Sequence, residues 1–198
     1  EHKADIMLGT QMIAKGLDFS NVTFVGVLMA DLSLMVPDFR ASERTFQLLC
    51  QVAGRSGRGD KQGTVMIQTF NPEHYAIKAA VKQDYEAFFK EEMLFRKKAK
   101  YPPFCHLVSV IVQSRTPKNV HLTALDISKC LKEHLEKVRI IGPQPAFKMQ
   151  DIYRERILIK YIESKPIYEQ LSLIDDYYNR TRKGGVIVAC DFNPYSTY

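Results

Sequence analysis

Val22 to Met29 (VTFVGVLM) is an unbroken apolar run of strand length, with a carboxylate, Asp31, just past its end. A strand that is apolar on both sides of its pleat belongs in a sheet covered on both faces, the situation of parallel strands in α/β layers. The flanking text has the same character. Ile6-Met7-Leu8 before Gly9-Thr10 reads as a short buried strand running into a loop, and Thr64 to Thr69 alternates after Gly63 as another strand. Residues 42–53 read as a helix. Asn71-Pro72-Glu73 reads as a helix start, with Asn as N-cap, Pro at the first helical position and an acid in the first turn, opening helical stretches over 73–82 and 84–98. Strands alternating with helices define an α/β layer.

Tyr101-Pro102-Pro103 interrupts the helical pattern, and a domain boundary is placed there, dividing residues 1–100 from 101–198. Beyond it, His106 to Gln113 reads as a strand. Val120, Ala124, Ile127, Leu131, Leu135 and Val138 mark one face of a helix. Short strands near 139–141 and 146–150 and a longer one over 153–162 follow. Ile167, Leu171, Ile174 and Tyr178 mark a second amphipathic helix, and Val186 to Asp191 a last strand. The order β-α-β-β-α-β is that of a small α+β split-βαβ sandwich.

The 198 residues suffice for one large or two small domains, and 45% hydrophobic with 25% charged residues is an ordinary globular balance. No apolar run approaches the roughly 18 residues needed to span a bilayer, and no charged-then-apolar leader suggests secretion. The opening Glu1-His2-Lys3, followed almost at once by apolar residues, reads as a piece cut from a longer protein. Cys50, Cys105, Cys130 and Cys190 form no C-x-x-C pair, so the chain is expected to bind no zinc and to hold reduced thiols in a cytosolic setting. Charge is uneven. Residues 1–99 hold 13 Lys/Arg against 12 Asp/Glu, and residues 100–198 hold 15 against 10, a difference of +5. Basic excess favours a polyanion such as nucleic acid, although a charged face is often merely solvated.

Gln51-Val52-Ala53-Gly54-Arg55-Ser56-Gly57-Arg58 carries the sharpest chemistry. On a helix, residues 51, 55 and 58 share one face, extended backwards by Arg44 and Gln47, beside an apolar stripe of Phe46, Leu49, Cys50 and Ala53. Two fixed guanidiniums are what a triphosphate in phosphoryl transfer requires, since the fork of Arg matches phosphate oxygens. The alternative is a solvent-exposed arginine turn after a helix. Some forty residues upstream, Gly9 to Phe19 (GTQMIAKGLDF) places a hydroxyl (Thr10), a cation (Lys15), a glycine (Gly16) and a carboxylate (Asp18) in a loop directly after a strand, where α/β sheets bind ligands.

Together these segments resemble motifs V and VI of superfamily 2 helicases, which lie in that order on the second RecA-like lobe. The wider text (LGTQMIAKGLDFSNVTFVGV, PDFRASERTFQLLCQVAGRSGRG, GTVMIQTFNPEHYAI, KYPPF, IGPQPAF and DFNP) resembles the bacterial primosomal replication-restart helicase family, PriA, over essentially the whole chain. The resemblance implies the C-terminal part of lobe 2 followed by a small S10-like domain. It implies the C-terminal portion of an ATP-dependent 3′→5′ DNA helicase that binds stalled or abandoned forks and reloads the replisome. By match to motif VI, Arg58 would be the arginine finger, Arg55 its phosphate-contacting neighbour and Gln51 a residue at the nucleotide edge. By match to motif V, Thr10 would contact the DNA backbone. Gly16 and Asp18 would couple that contact to the ATP site, with Lys15 nearby. Arg40 and Glu43 belong to the family's lobe-2 signature without an assigned role.

The chain has no G-x-x-x-x-G-K-[ST] phosphate loop and no acidic magnesium box, which belong to the first lobe. ATP and Mg²⁺ would therefore be completed outside this chain, and the family's zinc cluster would lie in the parent only. The resemblance further implies forked and single-stranded DNA, single-stranded DNA-binding protein and primosome loading proteins as partners, a monomer with no membrane association, and a place in the bacterial cytoplasm with the nucleoid. Alternatives are another superfamily 2 translocase, a non-catalytic DNA-binding scaffold, or a ribosomal S10-like protein, the last opposed by the Q-x-x-G-R-x-G-R segment.

In the strand over 153–162, alternation sets Tyr153, Glu155, Ile157, Ile159 and Tyr161 on one face and Arg154, Arg156, Leu158, Lys160 and Ile162 on the other. Arg154, Arg156 and Lys160, with Lys148 and Arg139 close in sequence, are the candidate DNA-phosphate contacts; the alternative is a solvated sheet face. Arg96-Lys97-Lys98 with Lys100 is a second candidate, or a helix end whose cations suit the helix dipole.

Overall fold

The computed structural model describes residues 5–10, 22–54, 56, 63–181 and 185–197, with only the backbone of 147–149. It divides into two compact units, Glu1–Phe95 and Arg96–Tyr198. The chain is mixed α/β, with a parallel two-stranded sheet in the first unit and an antiparallel four-stranded sheet in the second.

In the first unit, strand β1 (Phe24–Val27) pairs in parallel with β2 (Thr64–Ile67). Between them lie the short helix α1 (Asp31–Leu34) and the helix α2 (Ala41–Ala53); α3 (Tyr75–Lys82) and α4 (Tyr85–Ala99) follow. One face of the sheet packs through Val27 and Ile67 against a core of Phe46, Leu49, Ala76, Ile77, Ala80 and Phe88. There the Phe46 and Phe88 rings stack 4.3 Å apart. The other face carries Phe24 and Met66, both exposed, so β1 is not covered on both sides as its apolar run predicts. Ile6 and Leu8 are exposed and non-helical, not a strand: among the described residues no neighbour pairs with them.

The expected helix start at Asn71 moves to Tyr75. The Asp31 carboxylate accepts the Thr69 hydroxyl and the Phe70 N–H, each at 2.8 Å, and the Thr69 oxygen accepts the Asn71 N–H, holding 69–71 in a turn. His74 then serves as N-cap, its Nδ1 accepting the Ala76 N–H at 3.2 Å.

The second unit runs β3 (His106–Ser114), α5 (Pro117–His134), β4 (Arg139–Met149), β5 (Ile152–Tyr161), α6 (Ser164–Asp175), a π-helix (Asp176–Arg180) and β6 (Ile187–Phe192). The sheet order is β4-β5-β3-β6, all neighbours antiparallel. Val108, Val110, Val112, Ile157, Ile159 and Val188 share one face and form a core with Ala124, Ile127 and Leu131 of α5 and Ile167, Leu171 and Ile174 of α6. The two short strands expected over 139–150 are one bulged strand, its register shifting after Ile141 and again after Ala146. At the first bulge Gly142 has φ +98°, and a Cβ there would sit 2.7 Å from the Arg156 carbonyl, so only glycine fits. Among the described residues no helix is long and apolar enough to cross a membrane.

Candidate functional site

The parallel strands of the first unit are tied at both ends. At their carboxyl ends Ala30 donates to the Gln68 carbonyl at 3.0 Å, and Asp31 clamps the turn after β2. The Phe70 N–H holds the Asp31 carboxyl below the usual carboxylate range; burial opposes it, and the Thr69 hydroxyl adds to the lowering. At the amino ends, the Ser56 hydroxyl lies 3.3 Å from the Thr23 carbonyl and 3.4 Å from that of Thr64. Helix α2 therefore runs back along the sheet and brings Ser56 to the end opposite Asp31.

The DFRASER segment anchors that helix. The buried Asp38 accepts the Arg40 N–H at 2.8 Å and pairs with the Arg44 guanidinium at 3.7 Å. Arg40 lies over the Phe39 ring at 4.5 Å, and Glu43 accepts the Gln47 amide at 3.3 Å. Arg44 is thus engaged at the helix base, while Gln47 and Gln51 stay exposed. Asp38 is the residue that sequence reasoning missed; its only signal is its place ahead of two arginines.

The helix ends at Ala53, where Gly54 is the C-cap and donates to the Cys50 carbonyl at 3.1 Å. Arg55 and Arg58 lie outside the described residues, as do Lys15, Gly16 and Asp18; Thr10 is exposed in a non-helical segment.

In the second unit, register places Arg154 between Gln113 and Ala146, and Arg156 between Ile111 and Gln144, on the sheet face turned away from α5 and α6. Both arginines are half-buried, and Arg154 Nε donates to Gln113 Oε1 at 2.9 Å. The glutamines beside them went unnoticed in sequence, because their relevance depends on register.

Lys160 stands apart from them. On the same face it is only 5% exposed, so it is not an open phosphate contact. Its ammonium donates to the Ala99 carbonyl at 3.0 Å and lies 3.1 Å from the Tyr101 ring centroid, so the segment entering β3 closes over that end of the sheet. Burial lowers its pKa to about 8, with nearby Cys105 opposing and Arg139 adding to the lowering. Cys105 itself donates to the Lys100 carbonyl at 3.2 Å, and burial raises its pKa. The expected row of three cations thus reduces to Arg154 and Arg156, with exposed Arg139 nearer the covered end. The Lys148 side chain lies outside the described residues. At the other candidate patch Arg96 donates to the Pro102 carbonyl at 3.3 Å, while Lys97, Lys98 and Lys100 are exposed. Among the described residues no three His, Cys, Asp or Glu side chains are grouped to hold a metal ion.

Fold and site define a mixed α/β chain in which a parallel unit precedes a β-α-β-β-α-β unit with an arginine-bearing sheet face. Residues 97–195 match the family described as the Primosomal protein N C-terminal domain, and the chain belongs to that family, PriA. Three of the relatives named Replication restart protein PriA illustrate the likeness. That of Bacillus subtilis (strain 168) is 45% identical over 199 residues, covering 98% of this chain and 25% of the relative. That of Chlamydia pneumoniae is 44% identical over 172 residues, covering 85% and 23%. That of Borreliella burgdorferi is 35% identical over 200 residues, covering 97% and 29%. The chain spans about a quarter of the length of the curated relatives it matches.

Proposed function

We propose that this chain is the C-terminal portion of an ATP-dependent 3′→5′ DNA helicase that recognises stalled or abandoned replication forks and restarts replication by primosome assembly. The observation that supports the reading is the helix carrying Gln51, whose continuation at Ser56 meets one end of a parallel α/β unit, in a chain whose relatives are named for replication restart. The first unit is then the C-terminal part of the second RecA-like lobe, and the second an S10-like domain, with the boundary near residue 100.

In this reading Arg58 is the arginine finger and Arg55 its neighbour, supplying positive charge to the phosphates of ATP, with Gln51 at the edge of the site. Most of the hold on ATP and Mg²⁺ comes from the first lobe, and zinc belongs to the parent protein outside this chain. Thr10 meets the DNA backbone, and Lys15, Gly16 and Asp18 couple that contact to the nucleotide. Arg154 and Arg156 meet DNA phosphates on the open sheet face. Forked and single-stranded DNA, single-stranded DNA-binding protein and primosome loading proteins are the partners, met by a monomer in the bacterial cytoplasm at the nucleoid.

The test compares the full-length protein with the 198-residue chain. The full-length protein should displace a strand from a fork with ATP, and more readily than from a blunt duplex; the chain alone should hydrolyse no ATP. ATP turnover by the purified chain above a buffer blank would remove the half-site reading. Equal action on fork and blunt duplex would favour a general superfamily 2 translocase, and absence of strand displacement would leave a scaffold.

A further inference from the structure

The two faces of the second unit differ in chemistry. The sheet face carries Arg154 and Arg156, whereas the helical face is cut by an open groove of about 550 Å³ between α5 and the α6–π-helix stretch. Its rims are apolar and uncovered: Leu122 is 50% and Leu173 63% exposed. Lone exposed leucines are ordinary on a protein surface, but here they flank one continuous depression floored by Ile127 and Ile174. The π-helix shapes its far end, bringing Tyr177 and Tyr178 into the lining edge to face at 4.9 Å. Such widened turns recur at functional sites.

Among the described residues, one charged side chain lines this groove. Asp126 is exposed and has no ion-pair or hydrogen-bond partner among the described residues. Residues 100–198 hold 15 Lys/Arg against 10 Asp/Glu, yet among the described residues no cation enters the groove lining. Among the described residues of the lining a polyanion meets a carboxylate and no counter-charge. An apolar trough with a single acid suits an amphipathic helix, whose apolar side chains recur at i, i+3, i+4 and i+7, and whose adjacent Lys or Arg reaches the acid.

We infer that the α5/α6 groove docks an amphipathic, basic helical segment of a partner protein, with Leu122, Leu173 and Tyr177 taking its apolar side chains and Asp126 its cation. Protein docking then occupies the helical face while DNA occupies the sheet face, so both can be held at once.

The probe is a fluorescein-labelled synthetic helix with leucines at that spacing and flanking lysines, beside a twin in which every lysine is glutamate. Anisotropy titration of the 198-residue chain should show the lysine peptide binding at least about tenfold tighter than its twin. Leu173→Asp should abolish binding. Asp126→Lys should reverse the preference, a switch that general loss of structure cannot produce; both positions are exposed, and circular dichroism checks the fold. No binding of the lysine peptide, or an unchanged preference in Asp126→Lys, would each overturn the assignment. So would a dimer in sedimentation that Leu173→Asp dissolves, which would make a second copy the occupant.

Discussion

Asn179 lies against the outer edge of β6 and treats Val188 as a strand neighbour would: its amide donates to the Val188 carbonyl at 2.8 Å, and its oxygen accepts the Val188 N–H at 3.0 Å. A second contact, to Asp175 Oδ1 at 2.6 Å, fixes the amide. β6 ends the sheet, and an unpaired edge invites pairing with other chains. The π-helix sets one side chain in register with that edge and so closes part of it.

Asn179→Ala should lower the unfolding free energy of the chain by about 1–3 kcal/mol, the cost of leaving such groups without their partner. Asn179→Asp keeps the acceptor but places a carboxylate against Asp175 and the Val188 carbonyl, and should recover nothing at neutral pH. Urea titration followed by circular dichroism measures both. A wild-type midpoint in Asn179→Ala would show that the cap contributes nothing.

Lys160 yields a prediction in pH. Its pKa falls from 10.5 unfolded to about 8 folded, chiefly through burial. Between those values the unfolded chain binds the extra proton, so the lysine's contribution to stability rises with pH across that window, and its buried charge costs stability below it. Lys160→Met should therefore unfold at equal or higher urea than wild type at pH 7, and the gap should narrow from about pH 8 upward. Burial also raises the Cys190 thiol to about 11, so the comparison is the difference between the two proteins, not either curve alone. A gap that widened above pH 8 would contradict the assignment.

Asp31 should show the opposite dependence. Its carboxyl is held low by the Phe70 N–H against the opposition of burial, so its stabilising effect is complete above the unfolded value, about 3.9. That effect is lost as pH falls through the folded value. Asp31→Asn should destabilise the chain at pH 7, and the difference from wild type should shrink below about pH 4. Thermal unfolding across that range checks it, and a difference independent of pH would assign the loss to shape alone.

Arg154 and Arg156 should govern part of the salt dependence of fork binding. Neutralising both in the 198-residue chain should flatten the slope of log K against log salt by about 0.7–0.9 per contact, with little change in sequence preference. Lys160→Met should leave that slope unchanged, because its ammonium is turned to Ala99 and Tyr101. A slope unaltered by the arginine pair would assign phosphate contact to Lys97, Lys98 and Lys100.

The second unit was legible in sequence because its apolar alternation and helical stripes are long, and tertiary structure only had to satisfy them. What the pattern missed depends on partners distant in the chain. Lys160 follows the strand's alternation, but nothing in residues 153–162 tells that Tyr101 closes over it. Gly142 turns two expected strands into one bulged strand because the Arg156 carbonyl crosses close to it. Asn71 has the right neighbours for an N-cap and loses the position to His74, since Asp31 claims the turn before it. In the first unit, the apolar run at Val22 predicts cover on both faces, and Phe24 remains exposed. Gln51 lies in the last turn of its helix, which Gly54 caps, while Arg55 and Arg58 lie outside the described residues.

The half-site reading rests most directly on Arg58. DNA-stimulated ATP hydrolysis should be measured in the full-length protein for wild type, Arg58→Ala and Arg58→Lys, with DNA binding in the absence of nucleotide as control. Arg58→Ala should lower kcat by roughly 10³-fold or more, the scale of losing an arginine finger. Arg58→Lys should fail comparably, since a point charge cannot reproduce the guanidinium fork, and DNA affinity should hardly change. Near-normal hydrolysis by Arg58→Lys would contradict the account.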